Sequence, residues 1–454
     1  MNSDSEKQRI QESEIKLYKR RWLILALFSS YSATNAFQWI HYSIISNIIT
    51  RFYNVTTTTT DWLSMVYMLG YIPLIFPATW LLDKKGVRII AILGSSFNAL
   101  GALVKIASAA PNLFAVTMTG QVICSIAQVF ILGMPSKIAA TWFGPNEVST
   151  ACAIAVFGNQ VGVALGFLLP PIIVPDVDDV EVIAVSLRYM FIGTAAITTA
   201  LAITVIFVFS AKPPLPPSQA QLQFLQHHEE QTMSYSESIK ELVSSVSVVF
   251  LIVSYGVNTG SFYAISTLLN QEILTYFPDS IKEAGEIGLT MVLAGIGGAI
   301  LCGVILDKTR AYKLTTTIVY IMTTIFMIIY TSTLSIGMLW IVYVAGAGLG
   351  FFMTGYLPIG YEFAAEITHP VSEGSSSGLL TASAQVLGIV FTVSMGHIIP
   401  IGGVLAANIF LSVMLGAGTF LTVLIKSNLK RQNANARSVT LEDNKEGPSP
   451  GTKF

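Results

Sequence analysis

Charge is what this sequence most lacks. Asp, Glu, Lys and Arg make up only 11% of its 454 residues, against 53% apolar, where soluble chains carry about 25% charged residues. That shortage excludes the two or three water-soluble domains such a length would otherwise allow. A net charge of −1 supplies no excess for a nucleic-acid partner. Cysteine is nearly absent, and Cys124, Cys152 and Cys302 all fall inside apolar stretches, so neither a disulfide framework nor a metal spacing is available. No HExxH, GxSxG or Walker pattern occurs, and Gly346, Gly348 and Gly350 lack the strand-turn-helix setting of a nucleotide loop. The chain is therefore read as a non-enzyme without a cofactor.

What the sequence does have is apolar runs of about 20 residues, the length a bilayer core of roughly 30 Å demands of a helix. Twelve are expected, near 22–50, 62–82, 88–108, 112–136, 150–174, 188–210, 245–272, 287–306, 314–334, 337–360, 376–397 and 402–426. The first is too long for a signal peptide and lacks a small-residue cleavage site, so it is expected to be retained. The fold class is thus an all-α polytopic membrane protein. A cytosolic tail (1–20) precedes one six-helix half (21–210), a cytosolic linker (211–244), a second half (245–426) and a cytosolic tail (427–454).

Orientation follows from the positive charges. With the N-terminus inside, every one of the 25 Lys and Arg except Arg51, Lys105, Arg188 and Lys282 lies on the cytosolic side. Asn54-Val55-Thr56 is a glycosylation sequon in the first outside loop, and the acidic loop Asp176 to Glu181 is also outside. The linker opens with Pro213-Pro214-Leu215-Pro216-Pro217 and holds His227, His228, Glu229 and Glu230, an adjacent pair of His that reads as a solvated face rather than a metal site. An amphipathic piece of it is expected to lie on the membrane.

An internal repeat orders the rest. Leu82-Asp83-Lys84, with Gly86 and Arg88 behind it, recurs as Leu306-Asp307-Lys308 followed by Arg310, at an offset of 224. Within a residue, that offset also lays Gln160-Val161-Gly162 on Gln385-Val386 and Gly388, and Asn35-Ala36-Phe37-Gln38-Trp39 on Asn258 to Tyr263. Two parallel six-helix halves are the architecture of major facilitator transporters, and the Asp-Lys-x-Gly-x-Arg string resembles that superfamily's loop signature. An acid at a helix C-terminus with basic residues behind it suits a cytosolic clasp, so Asp83, Arg88, Asp307 and Arg310 are expected to gate the inner side.

Ionisable groups within the hydrocarbon mark ion pathways. Here the candidates are Lys105, expected to snorkel outward, His41 and His397; no Asp or Glu is read as lying mid-span. Uniport is therefore favoured over proton coupling, and an anionic or metal-ion substrate would lack its partner. What the interior offers is rings and neutral amides. Trp39 and Tyr263 stand about 17 or 18 residues into the first and seventh spans, roughly 25–27 Å along each at about 1.5 Å per residue. Across a pseudo-twofold axis they suit a quaternary ammonium held by cation–π attraction. Asn35, one turn before Trp39, with Gln121, Gln128, Gln160 and Gln385, can reach a substrate hydroxyl or bridge two helices. Gly158, Gly162 and Gly166 form a small-residue stripe read as helix packing first.

Longer strings then become specific. Asn35 to Ile40, Tyr42 to Ile48, Asp61 to Tyr67, Pro73 to Lys84 and Ser266 to Gln271 resemble the feline leukaemia virus subgroup C receptor-related transporters, over about residues 20 to 425. The resemblance implies choline and ethanolamine transport by facilitated diffusion; with the sequon it points to the plasma membrane, with mitochondrial or endoplasmic reticulum residence as alternatives, and a monomer is expected. It implies an ammonium enclosed by Trp39 and Tyr263, with Gln128 at the choline hydroxyl and Gln385 and Asn35 lining the cavity. His41 departs from the family's glutamine at that place, and the tails are short. A haem transporter and a proton-coupled organic cation transporter stay open as other readings.

Overall fold

The computed structural model describes residues 16–144, 147–217, 235–368, 373–426 and 429–430, and all its regular elements are helices. The first half opens with α1 (Arg20–Ile40), a 3-10 turn (Ser43–Ile45) and α2 (Ser46–Tyr53). It continues through α3 (Thr57–Ile106), α4 (Phe114–Leu132), α5 (Pro135–Trp142), α6 (Val148–Leu168), α7 (Pro170–Ile173) and α8 (Val180–Val208). The linker contributes α9 (Tyr235–Ser244). The second half comprises α10 (Val246–Tyr276), α11 (Ile281–Thr309), α12 (Tyr312–Leu334), α13 (Leu339–Thr368) and α14 (Glu373–Leu424). Among the described residues, ten helices are long and apolar enough to cross a membrane. One of these, Ser375–Leu424, is 50 residues long and is divided by Gly403, which sits at φ 77°. The first span is not among the ten because Ser29, Ser30, Ser32, Thr34, Asn35 and Gln38 make it polar. Dividing α14 at Gly403 and counting that polar first span would bring the number to the twelve expected from the sequence.

The ends of these helices follow from local chemistry. Thr56 caps α3 by accepting from the Thr59 N–H at 3.2 Å, and Asp179 caps α8 by accepting from Glu181 and Val182. Gly86 turns the second span into the third at φ 75°, where a Cβ is disfavoured. At the repeat-related position Arg310 also ends α11 at positive φ, 51°, but in the left-handed helical region that Gly86 does not occupy.

Within lipid, helices associate by close packing and polar contacts rather than by the hydrophobic effect. A Cβ on Gly162 would lie 2.0 Å from the Ala33 carbonyl oxygen, and one on Gly158 2.7 Å from that of Ser29, so the stripe on α6 lets α1 approach to backbone contact. In the second half the glycines stand on α10 instead: a Cβ on Gly260 would meet the Gly388 nitrogen of α14 at 2.8 Å. The two halves touch through α6 and α11, where Gly285 and Gly288 receive Phe167.

The end of the bundle opposite the chain termini is tied across the halves. Asn270 of α10 donates to the Ile44 carbonyl at 2.8 Å and to Asn47 Oδ1 at 3.1 Å, and accepts from Ser46 Oγ at 2.9 Å. Gln271 donates to Asp61 at 2.9 Å, and the Ser64 and Thr267 hydroxyls meet at 3.1 Å. The irregular backbone between α1 and α2 provides the free carbonyl that Asn270 uses. At the termini end, Arg21 pairs with Glu147 at 2.9 Å and Arg20 donates to the Val208 carbonyl at 2.6 Å, both inside the first half.

Candidate functional site

Trp39 and Tyr263 meet. Their ring centroids are 5.5 Å apart with planes 78° to each other, an edge-to-face contact between the last turn of α1 and the middle of α10. Trp39 is buried and Tyr263 half-buried, so both rings face the seam between the halves rather than lipid. Tyr263 is held from behind by α14, where a Cβ on Gly388 would lie 3.0 Å from its ring and 2.9 Å from Met68 Sδ. The indole N–H of Trp39 has no hydrogen-bond partner, an unusual state for a buried donor.

The amides divide into two groups. Gln385 is buried with its Nε2 unpartnered, and half-buried Gln128 and Gln160 each have an Oε1 without a partner. Native proteins rarely leave such groups unmet, and a ligand is one reason they do. Asn35 behaves differently. Its Nδ2 donates to Asn98 Oδ1 at 3.0 Å and to the Cys124 carbonyl at 3.1 Å, tying the first span to the third and fourth. Its repeat mate Asn258 donates to the Met353 carbonyl on α13 at 3.0 Å, the same bridge in the second half. Asn35 is a helix-bridging residue in this conformation, and its amide nitrogen is already engaged. Gln121 is likewise engaged, donating to the carbonyls of Gln38 and Leu63.

Two expectations about ionisable groups change, those for Lys105 and for carboxyls within the spans. Lys105 does not snorkel: it is buried, donates to Gln121 Oε1 at 2.9 Å and stands 5.8 Å over the Tyr42 ring. Gly120 makes the room, since a Cβ there would meet Lys105 Cγ at 2.5 Å. His41 faces away from Trp39, stacked on Phe37 at 5.5 Å with Phe191 of α8 at 6.4 Å. Carboxyls do lie inside spans: Asp61 and Glu272 are both buried. Glu272 escapes notice in the sequence because the apolar pattern fades at 272, whereas α10 runs on to Tyr276. The polar string Asn270-Gln271-Glu272 was the available signal, and it reads as a helix end.

For the expected clasp, the side chains of Asp83 and Asp307 lie outside the described residues, as do His227 to Glu230. Arg88 is exposed and donates to the Ile206 carbonyl of α8 at 3.4 Å, within its own half; Arg310 is exposed. Asn54 is exposed at the left-handed cap of α2, φ 52°, and Arg51 beside it pairs with Asp176. The three cysteines are free.

The sequence profile described as Major Facilitator Superfamily matches residues 23–392. A choline/ethanolamine transporter of Danio rerio is 54% identical over 439 residues, 97% of this chain and 93% of its own length. One of Rattus norvegicus is 55% identical over 426 residues, 94% and 78%, and one of Homo sapiens 52% over 428 residues, 94% and 81%. Among solved structures, a bacterial homologue of the human lysosomal transporter Spinster, inward-facing and unoccupied, superposes with a TM-score of 0.67 at 14% identity, covering 90% of this chain and 98% of that one. The Escherichia coli fucose:proton symporter gives 0.63 at 14%, covering 90% and 100%. These two are similar in fold alone.

Proposed function

The chain belongs to the Major Facilitator Superfamily, in the group whose members are named choline/ethanolamine transporters, and from that premise we propose that it carries choline and ethanolamine by facilitated diffusion. It is a multi-pass membrane transporter and not an enzyme. The observation that carries the substrate reading is the Trp39–Tyr263 contact, two rings contributed by opposite halves at the seam between them.

A quaternary ammonium offers no hydrogen to donate, so ring electrons are its natural partner, worth about 2 kcal/mol or more once water is excluded. A carboxylate is not required, and burying one unpaired in the cavity would be costly. Seating the cation over both rings requires the edge-to-face contact to open. In this reading the unpartnered Gln128 Oε1 accepts from the hydroxyl of choline or ethanolamine, and the unpartnered Gln385 Nε2 serves as a donor in the same cavity. Asn35 holds α1 in place beneath Trp39. The halves rock about this point, with the termini and linker cytosolic, the Asn270 end outside and the outer end closed in this conformation. A monomer at the plasma membrane, glycosylated at Asn54, completes the reading.

Radiolabelled choline uptake, competed with unlabelled ethanolamine or haem, tests it. Competition by ethanolamine and not by haem is expected; uptake insensitive to excess choline would overturn it.

A further inference from the structure

We propose that Glu272 is a proton site that sets how readily the outer end of the transporter opens. Glu272 lies on α10 with none of its surface exposed. Its Oε2 accepts from the Tyr330 hydroxyl of α12 at 3.1 Å, and its Oε1 has no partner. Beside it stands Asn408 of α14, also fully buried, whose amide reaches toward the carboxyl without a close hydrogen bond on either its oxygen or its nitrogen. Three helices of the second half thus aim polar groups at one enclosed point, and none of these residues belongs to the ammonium site.

Among the described residues the surroundings hold no counter-charge: no Lys, Arg or His pairs with this carboxyl. Tyr330 is the titratable group that faces it from α12, while α14 contributes the neutral Asn408 and α11 and α13 direct no charge at it. On the first half, Asp61 of α3 is held by Gln271, the residue before Glu272. An ionised carboxylate without water or a cation is strongly disfavoured in such a place. The acid form is not: its own O–H donates to Asn408 Oδ1 and supplies the missing bond. A metal cation is a poor alternative, because two free oxygens replace little of a hydration shell.

Position links this proton to the gate. Glu272 follows directly on Asn270 and Gln271, which tie α10 to the first span and to α3. It stands four residues, about 6 Å at about 1.5 Å per residue, from the end of α10 at Tyr276. When those ties part and α10 shifts away from α12 and α14, water reaches the carboxyl, its O–H bond breaks and the proton leaves to the outer solution. Closing recaptures a proton from the same side. The proton therefore biases opening without being carried across, which leaves transport uncoupled. Alkaline outer medium favours the opened end and acid medium the closed one, by at most about tenfold per pH unit for a single proton.

The inference rests on the proposed substrate and orientation, so its test has two arms, both on the full chain. In the first, choline uptake is measured at outer pH of about 6 and about 8 with inner pH fixed; uptake several-fold slower at the acid value is expected. Glu272→Gln flattens that profile near the acid rate while surface labelling stays constant. A Glu272→Gln profile like that of the wild type, or proton flux stoichiometric with choline, would overturn it. In the second, substrate-free arm, infrared difference spectra of the protein in lipid discs are taken between the two pH values. The wild type loses a protonated carboxylic-acid carbonyl band that is missing from Glu272→Gln; identical spectra overturn the site. Should choline prove the wrong substrate, neither wild type nor variant takes it up above background at either pH, and the second arm alone decides.

Discussion

Asn35 and Gln385 carry the same amide group, and the structure gives them opposite surroundings. Asn35 bridges to Asn98 and the Cys124 carbonyl, so Asn35→Ala is expected to cost about 0.6–1.7 kcal/mol of stability, the range for interhelical hydrogen bonds in membranes. A thermal unfolding curve in detergent reads that loss. The Nε2 of Gln385 is unpartnered, so Gln385→Met is expected to leave the same curve unmoved or slightly raised while choline uptake falls several-fold. Trp39→Ala is expected to reduce uptake at least tenfold, since about 1.4 kcal/mol of lost cation–π attraction corresponds to that factor, with surface expression retained. Persistent uptake in that variant would remove the cage. The amide types were legible as candidates; which amides are engaged was not, because an Asn shows the same letter whether its partner is a carbonyl or a substrate.

At the scale of the helix, glycine decides where rings and backbones sit. Gly388 is the wall behind Tyr263: a methyl there would press on its ring at 3.0 Å. Gly388→Ala is expected to displace Tyr263 toward Trp39 and raise the choline KM several-fold, measured against an unchanged expression level. The helix spans themselves were legible from apolar length alone. Their true ends were not, since α3, α8 and α11 begin at Thr57, Val180 and Ile281, five to eight residues before the apolar pattern does. Capping by Thr56 and Asp179 fixed two of those starts, while the pattern followed only lipid-facing bulk. The same limit hid Glu272, whose burial depends on α12 and α14 folding over it.

For the whole molecule, the proposed alternating access amounts to exchanging contacts between the paired halves at one end for contacts at the other. The Asn270 ties hold this conformation, so Asn270→Ala is expected to shift the population toward the opened outer end. A membrane-impermeant thiol reagent applied to Ser64→Cys, with and without Asn270→Ala, reads the shift as faster labelling. Asn54→Asp keeps a residue that tolerates φ 52° and should abolish a glycosidase-sensitive gel shift. An unchanged pattern would place that end on the other side.

The sequence by itself determined the class, the repeat and the two rings. Scarce charge and long apolar runs leave a chain no alternative to spanning a bilayer, and a duplicated pattern places Trp39 and Tyr263 on equivalent helices. Only the tertiary structure decided that the rings touch, that Lys105 turns inward to Gln121, that Asn35 is a bridge and that Glu272 is enclosed. Each of those depends on which side chain from a distant helix arrives at a given face, and hydropathy along one chain carries no record of that meeting.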